Sequence, residues 1–230
     1  MPLTGASGAG CQSIYTVSAL TLLEAYEDPD YAEVLNRADL LTADGAGAVW
    51  AIRRLTGVKA ARLPGVDLLF DLAGVCAAEG QGVFLLGGKP GVAERAGKKL
   101  QERFPGLKIC GCADGFWQAE DEAALIARIN QAQPGLLVVG LGQPAQERFI
   151  DRHHRELAVR VALGVGGGLD VAAGDLKRAP LWMRRAGLEW LYRTWQEPWR
   201  LRRLGRLPKF IWKVWRTPRV RPDAKDTRHA

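Results

Sequence analysis

Asp44 follows a short apolar stretch, Leu40-Leu41-Thr42-Ala43, and directly precedes Gly45. A carboxylate there sits at the lip of a crevice, where a general base is useful. The same position suits the N-cap of a helix starting at Ala46, and spacing alone favours the cap. A second candidate occupies residues 136–149. Leu136, Leu137, Val138 and Val139 read as a strand buried on both faces, since they leave no polar side for water. Gly140 and Gly142 let the backbone turn tightly and approach a ligand, and Pro144 suits the first turn of a helix. Strand, glycine turn and helix N-terminus together make an anion site, because free N–H groups and the positive dipole end favour phosphate. Gln146 and Glu147 fall in that first turn, where their side chains are expected to reach whatever the turn holds. An ordinary βα turn with exposed polar residues accounts for this stretch equally well.

Several other motifs fail on spacing. Gly140-x-Gly142-x-x-Ala145 fits a relaxed dinucleotide fingerprint, but residues 159–165 lack the acid expected about 20 residues on, which disfavours a nicotinamide enzyme. The glycines and lysines of residues 87–98 do not form a P-loop. Asp28-Pro29-Asp30 has the form with which some nucleotide-sugar enzymes hold a metal, yet it follows a helix and reads as a turn. His153 and His154 are consecutive on a helix and point apart. Neither a metal site nor a cofactor is expected.

The elements that must position these residues alternate in type. Strands are expected over residues 11–17, 38–43, 82–86, 107–112, 136–141 and 159–165. Helices are expected over 18–37, 46–55, 67–78, 90–104 and 120–133, with another after Pro144. Strands alternating with helices of this length predict an α/β fold: a Rossmann-like parallel sheet with helices on both faces. Ligands bind such sheets outside the carboxyl ends of the strands, which here carry Thr16, Asp44, Gly87-Gly88, Gly140–Gly142 and residues 164–168.

The charge is unevenly placed. Of 230 residues, the last 54 hold 16 of the 32 Lys and Arg and four acids, a net +12, against −5 for the rest. They also hold six of the eight tryptophans. A basic, Trp-rich tail on a mildly acidic body points to an anionic partner, either a membrane surface or nucleic acid. No stretch reaches the ~18 apolar residues that span a bilayer. The first ten residues lack the features of a Sec signal. Cys11, Cys76, Cys110 and Cys112 lack CxxC spacing and read as reduced core residues of a cytosolic protein.

A series of motifs then runs in order along the chain. Thr42-Ala43-Asp44-Gly45-Ala46-Gly47, Pro64-Gly65-Val66-Asp67-Leu68, Phe84-Leu85-Leu86-Gly87-Gly88 and the stretch from Val139 to Glu147 come first. Gly164-Val165-Gly166-Gly167, Ala173-Gly174, Lys177-Arg178-Ala179-Pro180, Glu189-Trp190-Leu191-Tyr192-Arg193 and Glu197-Pro198 complete it. Together they resemble the WecG/TagA/CpsF family of bacterial glycosyltransferases. The resemblance implies an inverting, metal-independent transfer of N-acetylmannosamine or a related hexose or uronic acid from UDP to a polyprenyl-diphosphate-linked sugar, in cell-surface polysaccharide or teichoic-acid-type synthesis. It implies Asp44 as base, Thr16 and Arg62 as pocket residues, and Gln146 as the glutamine of a Pro-x-Gln-Glu motif. It also implies that Arg193, Arg200 and Arg203 reach the UDP diphosphate, and that Gly87, Gly88, Gly140, Gly142 and Glu147 help bind the nucleotide sugar. The chemistry fits these residue types, because an attacking hydroxyl needs a base and a departing UDP needs cations or helix N-termini. Two departures stand out. Thr16-Val17-Ser18 replaces the family's Thr-x-Asn, and the segment before Cys11 is short, as if an N-terminal strand were missing or the start misassigned.

The resulting expectation is a catalytic domain over residues 1–187 and a membrane-associating, site-completing appendage over 188–230. In the appendage Arg202, Arg206, Lys209, Lys213 and Arg216 fall on one side of a helix, and Leu204, Leu207, Ile211, Val214 and Trp215 on the other. Trp212 lies near the boundary, and Pro208 is a candidate break. Arg193, Arg200 and Arg203 share a face if the helix continues past Pro198. The expected partners are a UDP-sugar, the lipid-linked acceptor and an anionic membrane surface at the cytoplasmic face, with no nucleic acid and room for a homo-oligomer. Deleting residues 205–230 is expected to leave a folded protein that no longer binds liposomes. The competing readings are a Rossmann-type oxidoreductase and a non-enzymatic module that binds anionic surfaces.

Overall fold

A computed structural model describes residues 11–198 and 201–220; the segment before Cys11, on which the reading of a missing strand rests, lies outside the described residues. Six strands form one sheet in the order β2-β1-β6-β5-β3-β4. They are β1 (Gln12–Val17), β2 (Leu40–Ala43), β3 (Gly82–Gly87), β4 (Lys108–Ala113), β5 (Leu136–Gly140) and β6 (Val161–Gly164). The β1–β6, β6–β5, β5–β3 and β3–β4 pairings are all parallel, and helices pack around the sheet, so the Rossmann-like α/β fold is the one observed.

The apolar runs explain the central strands. Val83 to Leu86 and Leu137 to Val139 have no exposure at all, as strands covered on both faces require. Val83, Leu85, Leu136 and Val138 share one core with Leu69 and Ala73 of α4 (Gly65–Glu79), Ala96 and Leu100 of α5 (Val92–Arg103) and Leu169 of α8 (Gly168–Ala173). The edge strand β4 carries Cys110 and Cys112, which are half-buried, not core, while Cys11 and Cys76 are buried; all four are free thiols.

Two expected helical stretches are interrupted. Residues 18–37 form α1 (Ala19–Glu27) and α2 (Pro29–Asn36), because Pro29 has no N–H for an α1 hydrogen bond and opens a new helix. The Asp28-Pro29-Asp30 element is thus the junction of two helices. In the tail, α10 (Glu189–Gln196) ends at Glu197, which has left the helical region and precedes Pro198, a residue that disfavours helical backbone in its predecessor. The next helices are α11 (Leu201–Leu204) and α12 (Leu207–Arg216), so Arg193 and Arg203 do not share one helical face, and Arg200 lies outside the described residues. The break before α12 falls at Gly205-Arg206, and Pro208 sits in the first turn of α12, where it is tolerated.

The chain divides into two compact units. One comprises Met1–Tyr15, Asp30–Leu41 and Gly65–Lys177; the other comprises Thr16–Pro29, Thr42–Pro64 and Arg178–Ala230. The second unit has its own core, in which Leu23, Ala51, Phe210 and Val214 are buried together with Ala19 and Trp50 around them. Close approach of α1 to α3 (Ala46–Thr56) depends on Gly47, since a Cβ there would lie 2.8 Å from that of Ala19. Phe210 and Val214 thus bind α12 into this core, so removing residues 205–230 would unroof it. Among the described residues no helix is long and apolar enough to cross a membrane.

Candidate functional site

In the second unit, backbone hydrogen bonds bring three of the expected site residues together. The Asp44 N–H donates to the Val17 carbonyl at 2.8 Å, which ties Asp44 to the residue after Thr16. Ala43 pairs with Arg62 in a parallel bridge, the Leu63 N–H donates to the Ala43 carbonyl at 2.9 Å, and the Thr42 hydroxyl donates to the Leu63 carbonyl at 3.2 Å. Arg62 therefore runs alongside the strand that ends at Asp44. The N-cap of α3 falls on Gly45, whose φ of +91° suits glycine, so Asp44 sits one residue outside the cap and is half-buried. Ser18 caps α1 in a reciprocal box with Thr21, which occupies its side chain with local structure.

The Arg62 guanidinium donates through Nη1 to the Arg184 carbonyl at 2.9 Å and through Nη2 to Glu189 Oε2 at 3.0 Å. Arg178 approaches the other Glu189 oxygen at 3.7 Å. Glu189 opens α10, whose positive dipole end favours an acid there, and Arg193 follows one turn later. Glu189 was legible as part of a motif but not as the partner of Arg62, because 127 residues separate them. Arg193 is half-buried, and Arg203 on α11 is exposed.

In the first unit the glycine turns meet backbone to backbone. Gly87 has a φ of +129°, and a Cβ there would run into the Gly140 carbonyl; the Gly88 N–H donates to that carbonyl at 3.2 Å. A Cβ on Gly140 would lie 3.1 Å from the Gly166 carbonyl. Gly87 and Gly140 thus let neighbouring strand ends pack, while a Cβ on Gly88, whose φ is +72°, would meet the Val92 side chain of α5 at 2.7 Å. Gly142 differs, because its φ is +81° and a Cβ there would meet open space. The Gln143–Pro144 peptide is cis, and Pro144 is the N-cap of α7 (Ala145–His153).

Gln146 and Glu147 do not project into the space beyond the turn. Both have 0 % exposure. Gln146 Oε1 accepts the Gly166 N–H at 2.7 Å, and Gln146 Nε2 donates to Glu147 Oε1 at 2.7 Å. Tyr31 donates its hydroxyl to Glu147 Oε2 at 3.2 Å, and Tyr15 donates its own to the Glu147 carbonyl at 3.4 Å. Burial pushes the Glu147 carboxyl up, against the opposing pull of its hydrogen bonds from Gln146, Tyr31 and Gln143. Nothing in the sequence marks Tyr15 and Tyr31 as partners of this pair. Among the described residues no group of three or more His, Cys, Asp or Glu side chains could hold a metal ion.

The parallel sheet with helices packed around it defines a Rossmann-like α/β protein. Comparison with known proteins makes this particular. The Glycosyl transferase WecG/TagA/CpsF family matches residues 4–224, and the chain belongs to that family. It is 36 % identical over 201 residues to an N-acetylglucosaminyldiphosphoundecaprenol N-acetyl-beta-D-mannosaminyltransferase of Bacillus subtilis (strain 168), covering 87 % of this chain and 78 % of that one. It is 37 % identical over 195 residues to a protein of the same name from Staphylococcus aureus (strain MRSA252), covering 85 % of this chain and 76 % of that one. The protein is a glycosyltransferase, which sets aside the oxidoreductase and the non-enzymatic readings.

Proposed function

We propose that the protein transfers N-acetylmannosamine, or a closely related hexose or uronic acid, from a UDP-sugar to a polyprenyl-diphosphate-linked sugar, with inversion and without a divalent ion. The names of the relatives support the acceptor class and the sugar. The observation that carries the mechanism is the clamping of Asp44 beside Val17 and of Arg62 beside Ala43, with the cap falling on Gly45. Asp44 takes the proton of the acceptor hydroxyl as its oxygen bonds to the anomeric carbon and the bond to the UDP oxygen breaks. Thr16 and Arg62 serve the same pocket, and Arg193, Arg200 and Arg203 meet the charge that develops on the diphosphate. The direct test is UDP release across a panel of UDP-sugars with a short polyprenyl-diphosphate acceptor. Release with no UDP-sugar, or release abolished by EDTA and restored by Mg²⁺ or Mn²⁺, overturns the corresponding part of the reading.

The tail is proposed to hold the enzyme at the cytoplasmic face of an anionic membrane. Its basic residues are partly engaged within the unit: Arg206 pairs with Glu24 at 2.7 Å and Glu27 at 2.5 Å, and Lys209 with Glu27 at 2.5 Å. A different side of α12, carrying Ile211, Trp212, Trp215 and Arg216, is exposed. Exposed tryptophans beside arginine suit the interface between water and lipid. Trp182, Trp190 and Trp195 are exposed on α9 (Leu181–Arg185) and α10 as well.

A further inference from the structure

A primary amide has two unlike ends, and a buried one must present each to a matching partner. Gln146 Oε1 meets the Gly166 N–H and its Nε2 meets Glu147 Oε1, both at 2.7 Å. The donors that meet the Glu147 carboxylate include its own backbone N–H, the Gln146 amide, the Tyr31 hydroxyl and the Gln143 side chain. The carboxylate therefore accepts the NH₂ end of Gln146 and rejects the oxygen end. A flipped Gln146 would set oxygen against oxygen at Glu147 and nitrogen against N–H at Gly166, leaving buried polar groups unsatisfied. The amide also fills the space beside the last residue of β6, since a Cβ on Gly164 would lie 2.9 Å from its Nε2. Gly166, with a φ of +50°, lies in the turn from β6 into α8.

We propose that Glu147 is a positioning residue that fixes the direction of the Gln146 amide and, through it, the Gly166 N–H and the β6–α8 turn. A buried carboxylate is expensive, and a leucine of similar size would avoid that cost but could not orient an amide. The consequence for turnover rests on the transfer proposed above, whereas the geometry of the turn does not.

Four variants of the full-length chain test it: E147Q, E147L, Q146E and Q146E/E147Q. E147Q keeps an oxygen toward Gln146 and turns its NH₂ to the Tyr31 hydroxyl, which rotates to accept. Q146E sets two carboxylates against each other. In the double swap, the new carboxylate accepts from the Gly166 N–H and from the new amide, which restores the pattern. The primary readout is hydrogen exchange at the Gly166 amide in samples whose far-ultraviolet circular dichroism is native. E147Q and the swap should exchange within about threefold of wild type, and E147L and Q146E at least about tenfold faster, the factor that ~1.4 kcal/mol of lost hydrogen bonding gives. Unchanged exchange in E147L, or fast exchange in the swap, overturns the proposal. If E147L fails to fold, Q146E against the swap decides in the same way. Turnover rising and falling with Gly166 exchange across the series supports positioning. A swap variant with slow exchange but no turnover places Gln146 itself against substrate and still supports the orienting role of Glu147. A wild-type protein that transfers no UDP-sugar leaves the exchange series to decide alone.

Discussion

Replacing Asp44 with asparagine keeps the shape of the side chain and removes its basicity. Turnover of Asp44→Asn should fall by roughly 10²–10⁴-fold, the usual cost of losing a positioned base, while UDP affinity by titration calorimetry stays near wild type. Retained turnover would leave Asp44 a structural residue at the end of β2. Glu189→Ala strips Arg62 of a partner at 3.0 Å and Arg178 of one at 3.7 Å. It should raise the KM for UDP-sugar and lower stability by about 1–3 kcal/mol, as for a lost hydrogen bond to a charged group. A KM equal to wild type would detach Arg62 from the donor. Glu147 makes a prediction in pH. Its folded-state pKa is raised above 4.5, so its stabilising contribution is complete below the unfolded value and is lost as pH rises through the folded one. The neutral Glu147→Gln should therefore gain in melting temperature over wild type between pH 4 and pH 7.5, and a pH-independent gap would contradict this. At this scale the sequence revealed the position of Asp44 but not the direction of Gln146 and Glu147. Polar residues in a first helical turn usually face solvent, and their partners Tyr31 and Gly166 lie 116 and 20 residues away.

The elements were legible wherever pattern and burial agree. Continuous apolar runs such as Val83 to Leu86 mark strands covered on both sides, and alternation with helices gives the parallel sheet. Boundaries moved where a proline overrode the pattern, at Pro29 and at Pro198. In α12 the helical wheel separated basic from apolar residues but could not tell an apolar residue facing its own core from one facing outward. Val214 and the unassigned Phe210 face inward, while Ile211, Trp212 and Trp215 face out. Phe210→Ala should accordingly cost about 3–5 kcal/mol in the unfolding of the second unit, measured by denaturant titration followed through tryptophan fluorescence. A loss below 1 kcal/mol would mean that α12 is not held by its buried side.

For the whole molecule, the concentration of positive charge and tryptophan in the last 54 residues was plain from composition. The way Phe210 and Val214 share a core with Leu23 and Ala51 was not, because a single sequence carries no sign of contacts so far apart. Membrane association is best tested without truncation. Trp212→Ala/Trp215→Ala removes side chains that are 51 % and 66 % exposed, so melting temperature should hold while flotation with anionic liposomes drops severalfold. Equal flotation of variant and wild type would assign the exposed face to another purpose. The interleaving of the units also bears on how the protein is made. Arg206 meets Glu24 across 182 residues, a span that takes about 10–40 s to synthesise at ordinary translation rates. For that interval the apolar side of α1, with Leu23, has left the ribosome without Phe210 and Val214 to cover it. A nascent chain stalled before residue 207 would remain in that state, a client for chaperones or proteases, however well the strands before it had already formed.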